Sequence, residues 1–362
     1  MTPQCVGMEA VMKKSMKKLI CIMLTVVLVF SLTACGKSSA SGKVLNLYVW
    51  TEYVPDSVIE AFEKESGIKV NVSTYSSNED MLAKVKSESE GAFDIVQPSD
   101  YMVKQLIEQD MLQKIDHAKL TNLSNIGTQY LNPKYDPGCT YSIPYQGGVA
   151  AIAVNTAKIK DTITSYDDLF NPKYSNTLVV LDDYRAVIGM TARSMGLSMN
   201  ETDSTTLGKI QTKLLTIKDN VKLYDSDSPK SALISGDCNL AFCWNAEIAL
   251  AMEENPDIKI VFPKEGAYTF MDNWCVTKGA KNYDSAMAFI NYMLTPEAAK
   301  LVMAEFPYLN PNTVAVSQMG ADYSANPAKN VPAEVLNKGE YLDNLSTSVL
   351  EKYDQMWTEL KK

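Results

Sequence analysis

Short β-rich runs alternate with capped helical segments from residue 44 onward, and this alternation restricts the chain to a parallel, doubly wound α/β architecture more than any other feature does. Residues 44–50 (VLNLYVW) are β-rich without a helical period and predict a strand. Pro55-Asp56 opens a helix with Val58, Ile59 and Phe62 facing inward, and Gly67 closes it. Residues 68–72 alternate like a half-buried strand, Asn78 is positioned to cap a helix to about Ser87, and residues 93–96 form another strand that Pro98 ends. In such sheets a ligand sits beyond the carboxyl ends of the strands. Trp50-Thr51-Glu52-Tyr53 and Ser99-Asp100-Tyr101 lie at two such ends.

The pattern starts again after Gly147-Gly148, whose glycines suit a crossing strand or a hinge. Residues 177–181 predict a strand ending in Asp182-Asp183, followed by a helix from Tyr184 to Met195. Residues 239–243 predict another, ending in Trp244-Asn245 before a helix to Glu253, and residues 258–262 a third. Asp284 and Thr295-Pro296 open two later helices, and the C-terminus carries Val349, Leu350, Tyr353, Met356, Trp357 and Leu360 on one helical stripe. A chain of 362 residues exceeds the ~250–300 at which one core stops growing. Two lobes follow: residues 44–146 plus 273–316, and residues 147–272 plus 317–362.

Lys13, Lys14, Lys17 and Lys18 precede an apolar run over residues 19–32, shorter than the ~20 residues a spanning helix needs. Leu32-Thr33-Ala34-Cys35 closes it and resembles a bacterial lipobox, in which the cysteine is acylated and becomes the mature N-terminus. Residues 1–34 are then a secretory lipoprotein signal, and residues 35–43 a flexible tether. The expected location is extracytoplasmic, on the periplasmic or cell-surface face of the membrane, held by the lipid on Cys35 alone. Losing four lysines makes the mature chain more acidic than the precursor's −9, which argues against nucleic-acid or anionic-lipid partners. The single histidine, His117, follows Asp116 in a polar connector, and no G-x-S-x-G or Ser-x-x-Lys context supports a nucleophile. Cys139, Cys238, Cys243 and Cys275 match no zinc spacing; they are expected as buried free thiols, with one disulfide as the other reading. No metal and no cofactor is expected.

Several expected strand ends pair an aromatic ring with a carboxylate: Trp50 and Tyr53 with Glu52, Tyr184 with Asp183, and Phe270 with Asp272; Trp244 adds a further ring. Rings attract a cation by ~0.5–2 kcal/mol each, and the acids pair its charge, so the combination suits an organic ammonium. Each position alone reads more readily as core, rim or helix cap; their recurrence after strands shifts the reading modestly toward a cationic site.

On Trp50-Thr51-Glu52-Tyr53-Val54-Pro55, Ser73-Thr74-Tyr75-Ser76-Ser77-Asn78-Glu79, Tyr141-Ser142-Ile143-Pro144-Tyr145, Leu181-Asp182-Asp183-Tyr184-Arg185, Trp244-Asn245, Pro263-Lys264-Glu265-Gly266 and Phe270-Met271-Asp272, the chain resembles the spermidine/putrescine-binding proteins of bacterial ABC transporters. These are two-lobed solute-binding proteins of type II, with the ligand cleft between the lobes. The resemblance implies an aromatic box of Trp50, Tyr53, Tyr101, Trp244, Phe270 and Tyr308. It implies Glu52, Asp183 and Asp272 as partners of the amines, with Thr51 and Ser99 as polar contacts. Ala186 stands where members often have a glutamate, Phe270 where a tryptophan is common, and Leu342 where a glutamine often reaches the ligand. Those departures leave putrescine against spermidine open, and Glu247 is a candidate replacement charge. The implied role is a monomeric, non-enzymatic receptor that hands a polyamine to a membrane permease. A receptor for another organic cation, or a polyamine sensor, uses the same residues.

Overall fold

The computed structural model describes residues 43–362; residues 1–42, with the expected signal, Cys35 and tether, lie outside the described residues. Among those described, nine strands form one hydrogen-bonded set: β1 (Val44–Trp50), β2 (Lys69–Tyr75), β3 (Ile95–Val96), β4 (Ser142–Asn155), β5 (Leu178–Val180), β6 (Val221–Tyr224), β7 (Leu240–Trp244), β8 (Ile258–Val261) and β9 (Tyr268–Val276). Their order is β2-β1-β3-β9-β4-β7-β5-β6, with β8 also on β4. The two expected β-α repeats are present as two parallel groups, β2-β1-β3 and β7-β5-β6.

What joins the groups is a pair of long antiparallel strands. β9 pairs with β4 from Ser142↔Cys275 to Ala150↔Tyr268. The C-terminal end of β9 also carries β3, while the C-terminal part of β4 carries β7 and β8. Each half therefore borrows a segment of the same two strands, and the ladder runs through both halves with one register shift between Pro144 and Gln146, opposite Asn273 and Asp272. Every residue of β4 and of β9 is buried, as expected for strands covered on both faces.

Local signals account for most of the helices. The helix Asp56–Ser66 starts after Pro55, buries Val58 and Phe62, and ends at Gly67 in the left-handed conformation with φ 68°. The helix Asn78–Ser87 is capped by Ser77, which accepts from the Asp80 N–H, so Asn78 is the first helical residue rather than the cap. Thr295 caps Pro296–Glu305 as expected, whereas Tyr283–Met293 begins after Asn282 and Asp284 falls inside its first turn. The C-terminal helix Thr347–Lys361 buries Tyr353, Met356 and Leu360 on the expected stripe. Tyr323 packs on Ala299, Met303 and Ala315, which keeps the helix Ala321–Ala325 with the segment before Ser317. The four cysteines are buried and free. His117 is structural: its Nε2 meets the Cys139 carbonyl at 2.8 Å.

Gly147 and Gly148 mark where β4 is approached most closely. A Cβ on Gly147 would stand 2.6 Å from the Phe270 carbonyl oxygen of β9, and one on Gly148 would stand 2.1 Å from Asn245 Oδ1. Asn245 is fully buried; its Oδ1 accepts from the Val149 N–H at 2.9 Å and its Nδ2 donates to the Ala328 carbonyl at 2.8 Å. Gly148→Ala must displace that amide and unpair buried polar groups, so its expected cost is about 2 kcal/mol or more. Urea denaturation measures it; an unchanged midpoint would show that Asn245 yields freely.

Candidate functional site

Asp272 is the centre from which the site is built. It lies in the middle of β9, on the face shared with Tyr268 and Phe270 by the two-residue period of a strand. Ser99, just past β3, forms an isolated bridge with it. Ser99 precedes the helix Asp100–Glu108 but makes no side-chain cap bond. Its Oγ instead donates to Asp272 Oδ1 at 2.5 Å. From the turn after β1, the Tyr53 hydroxyl donates to Asp272 Oδ2 at 2.7 Å. Asn78 steadies Ser99 through Nδ2 to Oγ (3.0 Å) and Oδ1 to the backbone N–H (3.2 Å), and the Tyr145 hydroxyl holds the Tyr53 carbonyl at 2.8 Å.

Asp272 is 4% exposed, and burial pushes its carboxyl up to about 7 although the Ser99, Tyr53 and Trp50 donors pull it down. The Trp50 indole N–H is near the carboxylate, but it meets no acceptor in full hydrogen-bond geometry. Beneath the site Asp100 accepts from the Met271 and Tyr101 N–H groups at 2.8 and 2.7 Å, and burial raises its carboxyl to about 8.

A cleft of about 590 Å³, part of it open to solvent, surrounds Asp272. Trp50, Thr51, Glu52, Tyr53, Ser99, Asp183, Trp244, Phe270, Asp272 and Tyr308 all line it, gathered from both parallel groups and from the loop after the helix Pro296–Glu305. The rings form a connected wall: Trp244 to Phe270 at 5.1 Å, Phe270 to Tyr308 at 6.0 Å, and Tyr308 to Tyr53 at 5.1 Å between centroids. Asp183 caps the helix Tyr184–Ser194 by accepting from the Ala186 N–H at 3.1 Å. Burial raises its carboxyl, while that N–H and the Arg185 charge oppose the rise.

Three expectations need adjusting. Tyr101 does not line the cleft: its hydroxyl donates to Glu79 at 3.0 Å and the Arg185 guanidinium stacks on its ring at 5.1 Å, so it supports from behind. Asp272 is no strand end, because β9 continues past it. Glu52 is exposed, and its carboxylate is paired with Lys230 Nζ at 2.9 Å. Lys230 also holds Glu247 at 3.0 Å, so the candidate replacement charge is engaged away from the lining. Ala186 and Leu342 are buried outside the lining as well.

Tyr268, Ser76, Asn78, Ser226 and Asp227 line the cleft without having been named as ligand contacts. Tyr268 was legible, since it precedes Phe270 and Asp272 at the strand period. Ser76 and Asp227 were not: the Ser76 hydroxyl donates to Asp227 at 3.1 Å across 151 residues of chain. Among the described residues no group of three or more His, Cys, Asp or Glu could hold a metal ion, and no helix is long and apolar enough to cross a membrane.

The model of the family described as bacterial extracellular solute-binding protein matches residues 57–332. The spermidine/putrescine-binding periplasmic protein of Salmonella typhimurium is 38% identical over 328 residues, covering 89% of this chain and 94% of that protein. Among solved structures, the spermidine/putrescine ABC transporter substrate-binding protein PotD of Streptococcus pneumoniae superposes with a TM-score of 0.75 at 30% identity, covering 88% of this chain and 98% of that one. The TpPotD lipoprotein of Treponema pallidum does so with a TM-score of 0.77 at 27% identity, covering 88% and 99%.

A carboxyl raised to about 7 gives the cleft a defined pH dependence. An ammonium ligand needs Asp272 ionised, so below about pH 7 binding must expel a proton, and affinity falls by up to about tenfold per pH unit. Calorimetry in two buffers of different ionisation enthalpy should find close to one proton released at about pH 6 and none at about pH 9. The ligand-free protein runs the opposite way. Between 3.8 and about 7 the folded state holds a proton that the unfolded state does not, so this group's contribution to stability falls as pH rises through that window. An affinity that stays constant from about pH 5.5 to 8 would show that binding exchanges no proton at Asp272.

Proposed function

This chain belongs to the bacterial extracellular solute-binding proteins, and on that premise we propose that it is a polyamine receptor that delivers spermidine or putrescine to the permease of an ABC transporter. The observation that carries the ligand class is Asp272: a buried carboxylate, bonded only by neutral hydroxyls, at the floor of a cleft walled by aromatic rings. Neutral donors leave the negative charge uncompensated, and an ammonium group between ring faces completes it. The relatives are named as binding proteins, and the role proposed is to bind and deliver a ligand rather than transform it.

Two lobes are proposed with β4 and β9 as the shared crossing strands, residues 44–146 plus 273–316 in one and 147–272 plus 317–362 in the other. The packing of Tyr323 favours a last crossing somewhat beyond Ser317. We also propose a monomer held to the membrane by a lipid on Cys35. The support is the short apolar run, the Leu-Thr-Ala-Cys sequence and a structural relative described as a lipoprotein.

Asp272→Asn should cost two to four decades in putrescine or spermidine affinity, since breaking one half of a desolvated ion pair costs ~3–5 kcal/mol and a decade is ~1.4 kcal/mol. Calorimetric titration against putrescine, cadaverine, spermidine and spermine tests both the ligand class and this loss. A dissociation constant within about threefold of wild type would refute the role of Asp272. Cys35→Ser should release the protein or leave it unprocessed; a variant that is still processed and retained on the membrane would refute the anchor.

A further inference from the structure

We propose that Lys230 is a resident ammonium group that occupies Glu52 at the mouth of the cleft, and that this selects a diamine over a longer triamine. The inference rests on the polyamine reading above and names the residue that sets its selectivity.

Lys230 opens the helix Lys230–Ser235, in the β7-β5-β6 half, and reaches across to the turn after β1. Its Nζ stands 2.9 Å from Glu52 and 3.0 and 3.1 Å from the two oxygens of Glu247. The three side chains grade from open to closed: Glu52 is 46% exposed, Lys230 20% and Glu247 5%. Glu247 would be a buried, unpaired carboxylate without Lys230, which makes departure of the lysine costly. Glu52 has φ 48°, a left-handed conformation that non-glycine residues seldom adopt. Here it sits in the turn that presents the carboxylate to Lys230.

The cleft carboxylates are therefore unequal. Asp272 and Asp183 lie inside, Asp227 accepts Ser76, and Glu52 already carries a cation. A ligand ammonium arriving at Glu52 must either displace a tethered, shared lysine or stand beside it as a like charge. A diamine satisfied by the inner acids avoids both. The third ammonium of spermidine meets one or the other.

The experiment compares putrescine and spermidine affinities of wild type and Lys230→Met by calorimetry. Lys230→Met/Glu247→Gln is included because it also removes the acid that the lysine would leave unpaired. The expected result is a spermidine-to-putrescine affinity ratio raised about tenfold or more. Adding Glu52→Gln to either background should return the ratio toward wild type, since the gain requires the freed Glu52 carboxylate. A ratio within about threefold of wild type, or a gain that persists without Glu52, overturns the proposal. Wild type that binds neither amine overturns the polyamine reading itself, a result separate from any change in ratio.

Discussion

Asp272 is taken out of water in the middle of a strand, and a carboxylate there is several kcal/mol worse off than in solvent unless other groups compensate. The surroundings compensate only in part. Ser99 and Tyr53 satisfy both oxygens, yet they are neutral, and burial still lifts the carboxyl to about 7. The cleft keeps an electrostatic deficit that a cation can fill. Asn78 holds the Ser99 hydroxyl and Tyr145 the Tyr53 backbone carbonyl, and Ser99 gives up capping its own helix to serve Asp272. Local stability is traded here for a site.

The same strand explains why the site lies where it does. β9 pairs with β3 of one parallel group and β4 with β7 of the other, so a residue at the middle of β9 is presented to side chains from either group. Trp50, Tyr53 and Ser99 come from one half, Asp183 and Trp244 from the other. The close approach at Gly147 and Gly148 keeps the crossing tight, and the buried Asn245 locks β4 to the segment at Ala328. Toward the mouth, the Ser76–Asp227 bond and the Lys230–Glu52 pair link the two parallel groups by polar contacts.

Much of this was legible in local patterns. The β-α alternation, the glycine that ends the first helix and the C-terminal stripe follow from periods of two and 3.6 residues and from capping chemistry. Ten of the eleven ligand-site residues implied by the resemblance do meet in the cleft. Tyr101 stands outside the cleft lining; in sequence an aromatic after a strand end looks the same whether it faces the cleft or stacks beneath an arginine, and Arg185, 84 positions away, stacks on it. The interior position of Asp272 was hidden for a related reason. An acid within an apolar run reads as the end of a strand, because charged residues are rarely buried without a partner. Here the hydroxyl partners come from 173 and 219 residues away.

The sequence by itself determined many of the strands and helices and that several aromatic rings and acids lie close together along the chain, a pattern that favours a cationic site. Those are short-range matters, set by backbone sterics and by neighbours within a turn or two. Tertiary structure alone decided which acids remain available to a ligand. Asp272 is left with neutral donors and its charge uncompensated, while Glu52 is paired with a lysine 178 residues away. Coulomb interaction depends on distance in space and on exclusion of water, and neither can be read from position along the chain.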